Sequence, residues 1–307
     1  MIESSYIKEI AANEGFDLCG ITPAQHLAHG ERAFCEWLER GFASSLDYME
    51  RNREKRFDAR KLVEGARSVV VCGVNYKIPF GDDYYAKSRT KVASYACRRD
   101  YHKSIKKMLQ QMLKSLQQRY PQLQGRAFVD SAPISEKQYA VEAGLGWIGR
   151  QSLLVTPQYG TFVLLGVLVL CDEVDAYDRR YEGVGCGECR RCVEACTTHA
   201  VIEGRGIDTS RCISCHTIEA EPPTEVDLNG WIFGCDDCQR CCPYNKNSAE
   251  YSNSQFAPLF NPAEMSADEW LAMSDEQFLV QFSATPLKRS GLRRIQQNVR
   301  KKRNYIV

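Results

Sequence analysis

Residues 186–196 read Cys186-Gly-Glu-Cys189-Arg-Arg-Cys192-Val-Glu-Ala-Cys196. The spacing, C-x2-C-x2-C-x3-C, is that of the bacterial ferredoxin run, in which three thiolates hold one 4Fe–4S cube and the fourth reaches a second cube in the same fold. Such runs carry Pro after the fourth Cys; this chain has Thr197. A second run follows, Cys235-Asp-Asp-Cys238-Gln-Arg-Cys241-Cys242-Pro243. Bare spacing makes Cys241 its third ligand, but Pro243 marks Cys242 as the thiolate that crosses back to the first cube. The second cube then lacks a ligand, and Cys212, in Arg211-Cys212-Ile-Ser-Cys215-His216, is the natural supplier. The expected sets are therefore Cys186, Cys189, Cys192 and Cys242 for one cluster, and Cys196, Cys212, Cys235 and Cys238 for the other. Cys215 and Cys241 are left over. Paired C-x2-C motifs also build four-thiolate zinc sites, but the x2-x2-x3 run favours iron and sulfide. Two cubes in one fold form a short wire for single electrons, and a wire needs a terminus elsewhere in the chain.

The cysteines are concentrated: of 15 in 307 residues, ten lie between 186 and 242, a pattern that in a reducing compartment reads as metal binding before disulfides. The remaining composition, 44% hydrophobic and 26% charged, is that of a folded chain and excludes a disordered one. A net charge of +1 gives no global field that selects nucleic acid or membrane. There is no apolar run of about 18 residues to span a bilayer. Glu3, Lys8, Glu9, Glu14 and Asp17 are incompatible with an ordinary signal peptide. The expected location is cytoplasmic.

At roughly 150 residues per domain, the length suggests about two domains. Residues 1–175 read as a mixed α/β domain with a mixed sheet. An apolar strand covers 68–76, and 102–120 carries Ile105, Met108, Leu109, Met112, Leu113 and Leu116 at helical spacing, ended by Pro121. A short strand at 126–130 and a helix at 134–143, closing at Gly144, follow, and the apolar run 161–170 is the expected central strand. The cluster module occupies 176–257, and 258–307 is expected to be helical and basic. Residues 286–307 hold eight Lys or Arg and no acid, whereas residues 1–285 hold 32 basic and 39 acidic groups. That contrast makes Lys288, Arg289, Arg293 and Arg294 candidate phosphate contacts, with Arg300, Lys301, Lys302 and Arg303 behind them. A solvated terminus has the same composition.

Gly144-Leu-Gly146-Trp-Ile-Gly149 matches G-x-G-x-x-G, but the dinucleotide fingerprint must follow a strand and open a helix. Here it follows a helix, so a dinucleotide site is rejected. A glycine turn still lets backbone approach a large cofactor closely. Val129-Asp130-Ser-Ala-Pro133 puts a carboxyl at a strand end. It is either a turn residue or, if an apolar cofactor raises its pKa, a proton donor.

Taken together these stretches resemble the epoxyqueuosine reductases over nearly the whole chain. The matching pieces are Lys55-Arg56-Phe-Asp58, Tyr95-Ala-Cys97-Arg-Arg-Asp100-Tyr-His102, Val129-Asp130-Ser-Ala-Pro133 and Ala143-Gly-Leu-Gly-Trp-Ile-Gly149. They continue through Ser152-Leu-Leu154, Arg211-Cys212-Ile-Ser214, Gly234-Cys-Asp-Asp-Cys-Gln239, Cys242-Pro-Tyr-Asn245 and Thr285-Pro-Leu-Lys288-Arg289. The resemblance implies reduction of epoxyqueuosine to queuosine at the wobble position of a tRNA. It implies a cobalamin in the N-terminal domain, two 4Fe–4S clusters that feed it single electrons, and an external donor such as a flavodoxin or ferredoxin system. The family's acid maps onto Asp130. Arg56, Cys97, Gly149, Ser152, Leu153, Leu154, Ser214, Asp236 and Asp237 map near the corrin. No histidine is compelled to ligate cobalt, and all five read as structural or exposed, with His102 alone inside a family-like motif. A monomer is implied as well. Longer members continue past the Lys-Arg motif into helical repeats that hold the tRNA. Here either the short basic segment suffices or affinity is lower.

Two other readings fit part of the chain. A reductive dehalogenase uses the same cofactors, but such enzymes usually carry a twin-arginine export signal, and residues 1–20 have none. A ferredoxin-like electron carrier explains 186–245 and leaves the first 170 residues without a role.

Overall fold

The computed structural model describes residues 1–78, 82–204, 206–220 and 225–301. Its strands, in chain order, are β1 (Leu18–Pro23), β2 (Ser68–Asn75), β3 (Lys91–Val92), β4 (Gly125–Phe128), β5 (Trp147–Ile148), β6 (Leu154–Val155), β7 (Val163–Leu170) and β8 (Trp231–Phe233). Four of them form the main sheet in the order β1-β2-β7-β4, with every neighbouring pair antiparallel. The apolar run at 161–170 is central, as its composition suggested. The parallel pairing of this mixed architecture falls on the separate β3–β8 pair.

β2 is buried at every position, which is why it reads as a continuous apolar run rather than an alternation. Successive side chains serve opposite faces. Val70, Cys72, Val74, Leu168 and Leu170 pack against Ile7 and Ile10 of the helix Ser4–Asn13, and against Ile105, Met108, Leu109, Met112 and Leu116 of the helix Tyr101–Arg119. Val69, Val71, Val167 and Val169 face Tyr139, Ala140 and Val141 of the helix Glu136–Glu142. Each large aliphatic side chain so buried contributes about 1.5–3 kcal/mol. Asp100 starts the long helix, its Oδ1 accepting the His102 N–H at 3.1 Å. This cap places Tyr101 and His102 beside the end of β4.

The cluster module is tied to the sheet domain rather than hung from it. β3 pairs with β8, the Ser94 N–H and Oγ–H both donate to Asp236 Oδ2 (2.7 and 2.6 Å), and Asn245 accepts the Thr161 N–H at 2.7 Å. Past the module, the helices Ala267–Ala272 and Asp275–Phe282 each begin at a capping box, Ser266 with Glu269 and Ser274 with Gln277. The last helix, Leu287–Lys301, is interrupted at Gly291 (φ 72°). Trp270, Phe278, Phe282, Leu287, Leu292, Ile295 and Val299 pack on Val92, Cys97, Ile232 and Phe233. Segments separated by composition at 175 and 257 thus share one core. The basic C-terminus is a packed helix as far as Lys301; Lys302 and Arg303 lie outside the described residues. No helix among the described residues is long and apolar enough to cross a membrane.

Candidate functional site

Asp130 stands just past β4 at φ 49°, a left-handed backbone position that disfavours a residue with a Cβ. The Ser131 N–H donates to Val129 O at 2.5 Å across it, which makes Asp130 the central residue of a γ-turn of positive φ. That form is rare and costs about 1–3 kcal/mol unless its surroundings hold it. Three contacts do so. Tyr101 Oη–H donates to Asp130 Oδ2 at 2.8 Å, His102 Nε2 bonds the same oxygen at 2.9 Å, and the Asp130 N–H donates to Glu136 Oε1 at 2.7 Å.

His102 bonds carboxylates on both sides, since its Nδ1 meets Asp100 Oδ1 at 2.7 Å. Carboxylates only accept, so both ring nitrogens must donate and the ring is the imidazolium. The Asp100 and Asp130 hydrogen bonds accordingly raise His102 to about 9. Burial pushes Asp130 up, but the His102 and Tyr101 bonds and the Arg289 charge more than offset it and hold the carboxyl below its usual range. Burial, with the Asp130 charge, raises Glu136 to about 8. The partners that hold Asp130 low come from the start of another helix. One expectation changes here: His102 is neither merely structural nor free, because it bonds Asp130. Tyr101, His102 and Glu136 are the functional residues that sequence reasoning missed; the Asp100-Tyr-His stretch was the only signal for the first two.

Around this turn the structure collects part of the expected cofactor set. The Ser135 N–H donates to Arg56 O at 2.8 Å, and Arg56 Nη2 donates to Tyr48 O at 3.0 Å. Burial lowers Arg56. Its Nε is buried with no partner among the described residues, leaving a donor for a bound polar group. Lys137 Nζ reaches Ser152 O at 2.6 Å, and the Gly149 N–H reaches Leu153 O at 2.8 Å, which brings the β5–β6 turn alongside. Leu154 is buried. Ser214 is half-buried on the short helix Ile213–Ile218. Cys97 and Asp236 are buried completely, and Asp236 spends its oxygens on Ser94 and Gln239. Asp237 accepts from Trp231 Nε1 at 3.1 Å. These three reach the site as struts, not as open side chains.

Two glycines of the turn are required by the chain itself. Gly144 (φ 76°) caps the helix Glu136–Glu142, and a Cβ there would meet Arg179 O at 2.6 Å. A Cβ on Gly146 would lie 2.1 Å from Val155 O. The close approach at Gly144 is to the Arg179 backbone, and that at Gly146 is to Val155 within the β5–β6 hairpin. The motif follows a helix and opens a hairpin, so no dinucleotide fingerprint forms.

The cysteine runs lie within electrostatic reach of one another, and Cys241 and Cys242 both feel Cys192 and Cys189. The Cys242 thiol, raised to about 11 by burial, feels Cys186, Cys192 and Cys189. Burial raises Cys238 and Cys212, and each feels Cys196; Cys235 feels Cys238. Among the described residues no three Cys, His, Asp or Glu side chains meet at a single-ion site. Trp147 Nε1–H donates to Cys186 Sγ at 3.3 Å and the Ala200 N–H to Cys196 Sγ at 3.2 Å, so each expected set has a donor aimed at one of its sulfurs. Of the leftover thiols, Cys241 donates to Cys238 O at 3.5 Å, and Cys215 is buried against Leu46 and Ala220.

Of the candidate phosphate contacts, Lys288, Arg289 and Arg293 are exposed. Arg289 pairs with Glu219 at 2.7 Å and its charge reaches Asp130, so this motif borders the site. Arg294 is the correction: its guanidinium donates to His216 O at 2.9 Å and to Ala220 O, capping the C-terminal end of the helix Ile213–Ile218. Tyr48, 40% exposed and carrying a bond from Arg56, adds an aromatic ring that sequence reasoning did not single out.

Comparison with known proteins gives this site its context. Residues 56–131 match the family model "Epoxyqueuosine reductase QueG, DUF1730", and residues 185–245 match "4Fe-4S double cluster binding domain". An epoxyqueuosine reductase of Cyclobacterium marinum is 39% identical over 297 residues, covering 95% of this chain and 94% of that protein. One from Pseudomonas aeruginosa is 35% identical, covering 95% and 82%. A solved epoxyqueuosine reductase with an epoxyqueuosine-modified tRNA-Tyr stem loop shares the fold at a TM-score of 0.85, with 24% identity over 96% of this chain and 79% of that one. The Streptococcus thermophilus structure gives 0.83 at 24% identity, over 95% and 78%. A catabolic reductive dehalogenase is distant, at 0.50 and 14% over 79% and 32%. The cofactor set of the matched family is two 4Fe–4S clusters and a cobalamin. The two matched regions, and identity carried along nearly the whole length, make this chain a member of the epoxyqueuosine reductase family.

Proposed function

We propose that the chain reduces the epoxide of epoxyqueuosine in a tRNA anticodon to the alkene of queuosine, with Asp130 passing the proton to the departing oxygen. The observation that carries this reading is the Asp100–His102–Asp130 array on a strained turn, since a carboxylate fed by an imidazolium is a proton-delivery device. The reaction consumes two electrons and two protons, releases the oxygen as water, and leaves a carbon–carbon double bond. Cobalamin, when bound, supplies a strongly nucleophilic metal centre for the epoxide carbon. The residues proposed to hold it are Arg56, Asp130, Gly149, Ser152, Leu153, Leu154 and Ser214, with Cys97, Asp236 and Asp237 bracing them from behind. The chain's own part is protonic and positional. His102 stores a proton at Nε2, Asp130 Oδ2 relays it, Asp100 fixes the ring, and Tyr101 aims the carboxylate. Cys186, Cys189, Cys192, Cys242, Cys196, Cys212, Cys235 and Cys238 would hold two 4Fe–4S clusters, which would supply single electrons from an external donor of the flavodoxin or ferredoxin kind. Lys288, Arg289 and Arg293, with Arg300 further along the same helix, contact the phosphates of the stem loop, and the working form is a monomer. A Bacillus subtilis relative has been solved with its catalytic aspartate loop swung out of the active site, in keeping with a movable acid turn.

The test is direct. Protein reconstituted with iron, sulfide and cobalamin is given a low-potential reductant and a stem loop carrying epoxyqueuosine. Loss of one oxygen atom from the RNA by mass spectrometry supports the reading. Cofactor-loaded protein that leaves the RNA unchanged refutes it, and dehalogenation of a haloarene by that protein would favour the distant alternative.

A further inference from the structure

We propose that Glu136 is a positioning residue that latches the Asp130 turn in its working conformation by accepting the Asp130 N–H. The inference rests on Asp130 being the delivering acid and adds what keeps it in place. The Asp130 N–H has one partner among the described residues, Glu136 Oε1 at 2.7 Å. Glu136 opens the helix Glu136–Glu142, whose Tyr139, Ala140 and Val141 are buried under the sheet, so the acceptor is mounted on a rigid element. The turn itself is strained at φ 49°, and the chain gains by relaxing it once the N–H is released. Relaxation would carry Asp130 Oδ2 away from His102 Nε2 and Tyr101 Oη, which reach it from a different helix. The ionisable groups facing Glu136 are Asp130, Lys137, His102 and Tyr101, and none of them is bonded to that N–H.

The latch makes a demand that a merely structural carboxylate would not: acceptor geometry at Oε1, not charge, keeps His102 against Asp130. Glu136→Gln keeps an acceptor oxygen at the same reach, whereas Glu136→Ala has none and Glu136→Asp falls short. In cluster-loaded protein with oxidised clusters, the His102 ring is titrated by nitrogen NMR. His102 is expected to titrate near 9 in the parent chain and in Glu136→Gln. In Glu136→Ala and Glu136→Asp it should fall, because the Asp130 bond is lost, while the Asp100 bond keeps it above the ordinary 6.5. Single-turnover epoxide reduction should fall about tenfold or more in the last two, with RNA affinity and iron content retained. An unmoved His102 titration in Glu136→Ala overturns the latch, as does Glu136→Gln behaving like Glu136→Ala. The NMR readout needs no turnover, so it stands even if Asp130→Asn proves fully active and the acid assignment fails.

Discussion

The C-terminal helix offers a prediction whose size follows from the side-chain positions. Composition puts eight cations between 286 and 307. The structure removes Arg294, which is committed to two carbonyls, and Lys301, which is half-buried. Lys288, Arg289, Arg293 and Arg300 remain exposed on described backbone. The Arg289–Glu219 pair does not disqualify Arg289, because an exposed ion pair is worth only about 0–1 kcal/mol and yields to a phosphate. Each phosphate contact adds about 0.7–0.9 to the slope of log affinity against log salt. Replacing all four by Gln should therefore flatten the slope by about 3. Between 50 and 200 mM salt, the parent chain should lose about 60-fold more affinity than the variant. The assay is fluorescence anisotropy of a labelled anticodon stem loop over that range. Arg294→Gln is the internal control: it gives up two hydrogen bonds from a charged donor, about 1.5–3 kcal/mol each, and should lower stability without touching the slope. An unchanged slope in the fourfold variant, or a slope change in Arg294→Gln as large as in Arg293→Gln, refutes the assignment of this face to RNA.

Three more outcomes are expected. His102 is raised to about 9 from an unfolded value near 6.5, so its contribution, about 3 kcal/mol, is whole below pH 6.5 and disappears as pH rises through 9. The thermal midpoint of the parent should fall across that window more steeply than that of His102→Asn; parallel profiles would contradict the imidazolium. Cys212→Ser should cost about half of the roughly eight iron atoms expected for two cubes, while Cys215→Ala and Cys241→Ala keep them all by iron analysis. Loss of a cluster from Cys241→Ala, with Cys242→Ala intact, would move the ligand assignment by one position. Leu109→Ala, in the buried seam between the long helix and the sheet, should destabilise by about 2–5 kcal/mol in denaturant titration, and an effect under about 1 kcal/mol would mean the seam is not packed as described.

What could be read from the sequence was what short spacing constrains. The cluster module was legible because three thiolates of a cube recur every third residue, a spacing that the match of residues 185–245 to a double-cluster domain bears out. The long helix was legible from Ile105 to Leu116, because one face of a period of 3.6 meets the sheet. The proton array was not, because His102 and Asp130 lie 28 residues apart and meet only when a helix start docks beside a strand end. The role of Arg294 was hidden for the same reason: as composition it is one more cation, and only the carbonyls of His216 and Ala220, contributed by the cluster module, show that it is spoken for. Of the glycines, the sequence does not tell which are required by the chain's own backbone, as Gly146 is by Val155.

The central claim is that Asp130 delivers the proton, and one comparison reaches it directly: single-turnover reduction of an epoxyqueuosine stem loop by the parent chain and by Asp130→Asn, both fully loaded with iron and cobalamin. General acid catalysis is worth about 100–10,000-fold, so the variant should bind the RNA normally, keep its cofactors, and lose at least about two orders of magnitude in rate. A variant that reduces the epoxide at the parental rate would contradict the account.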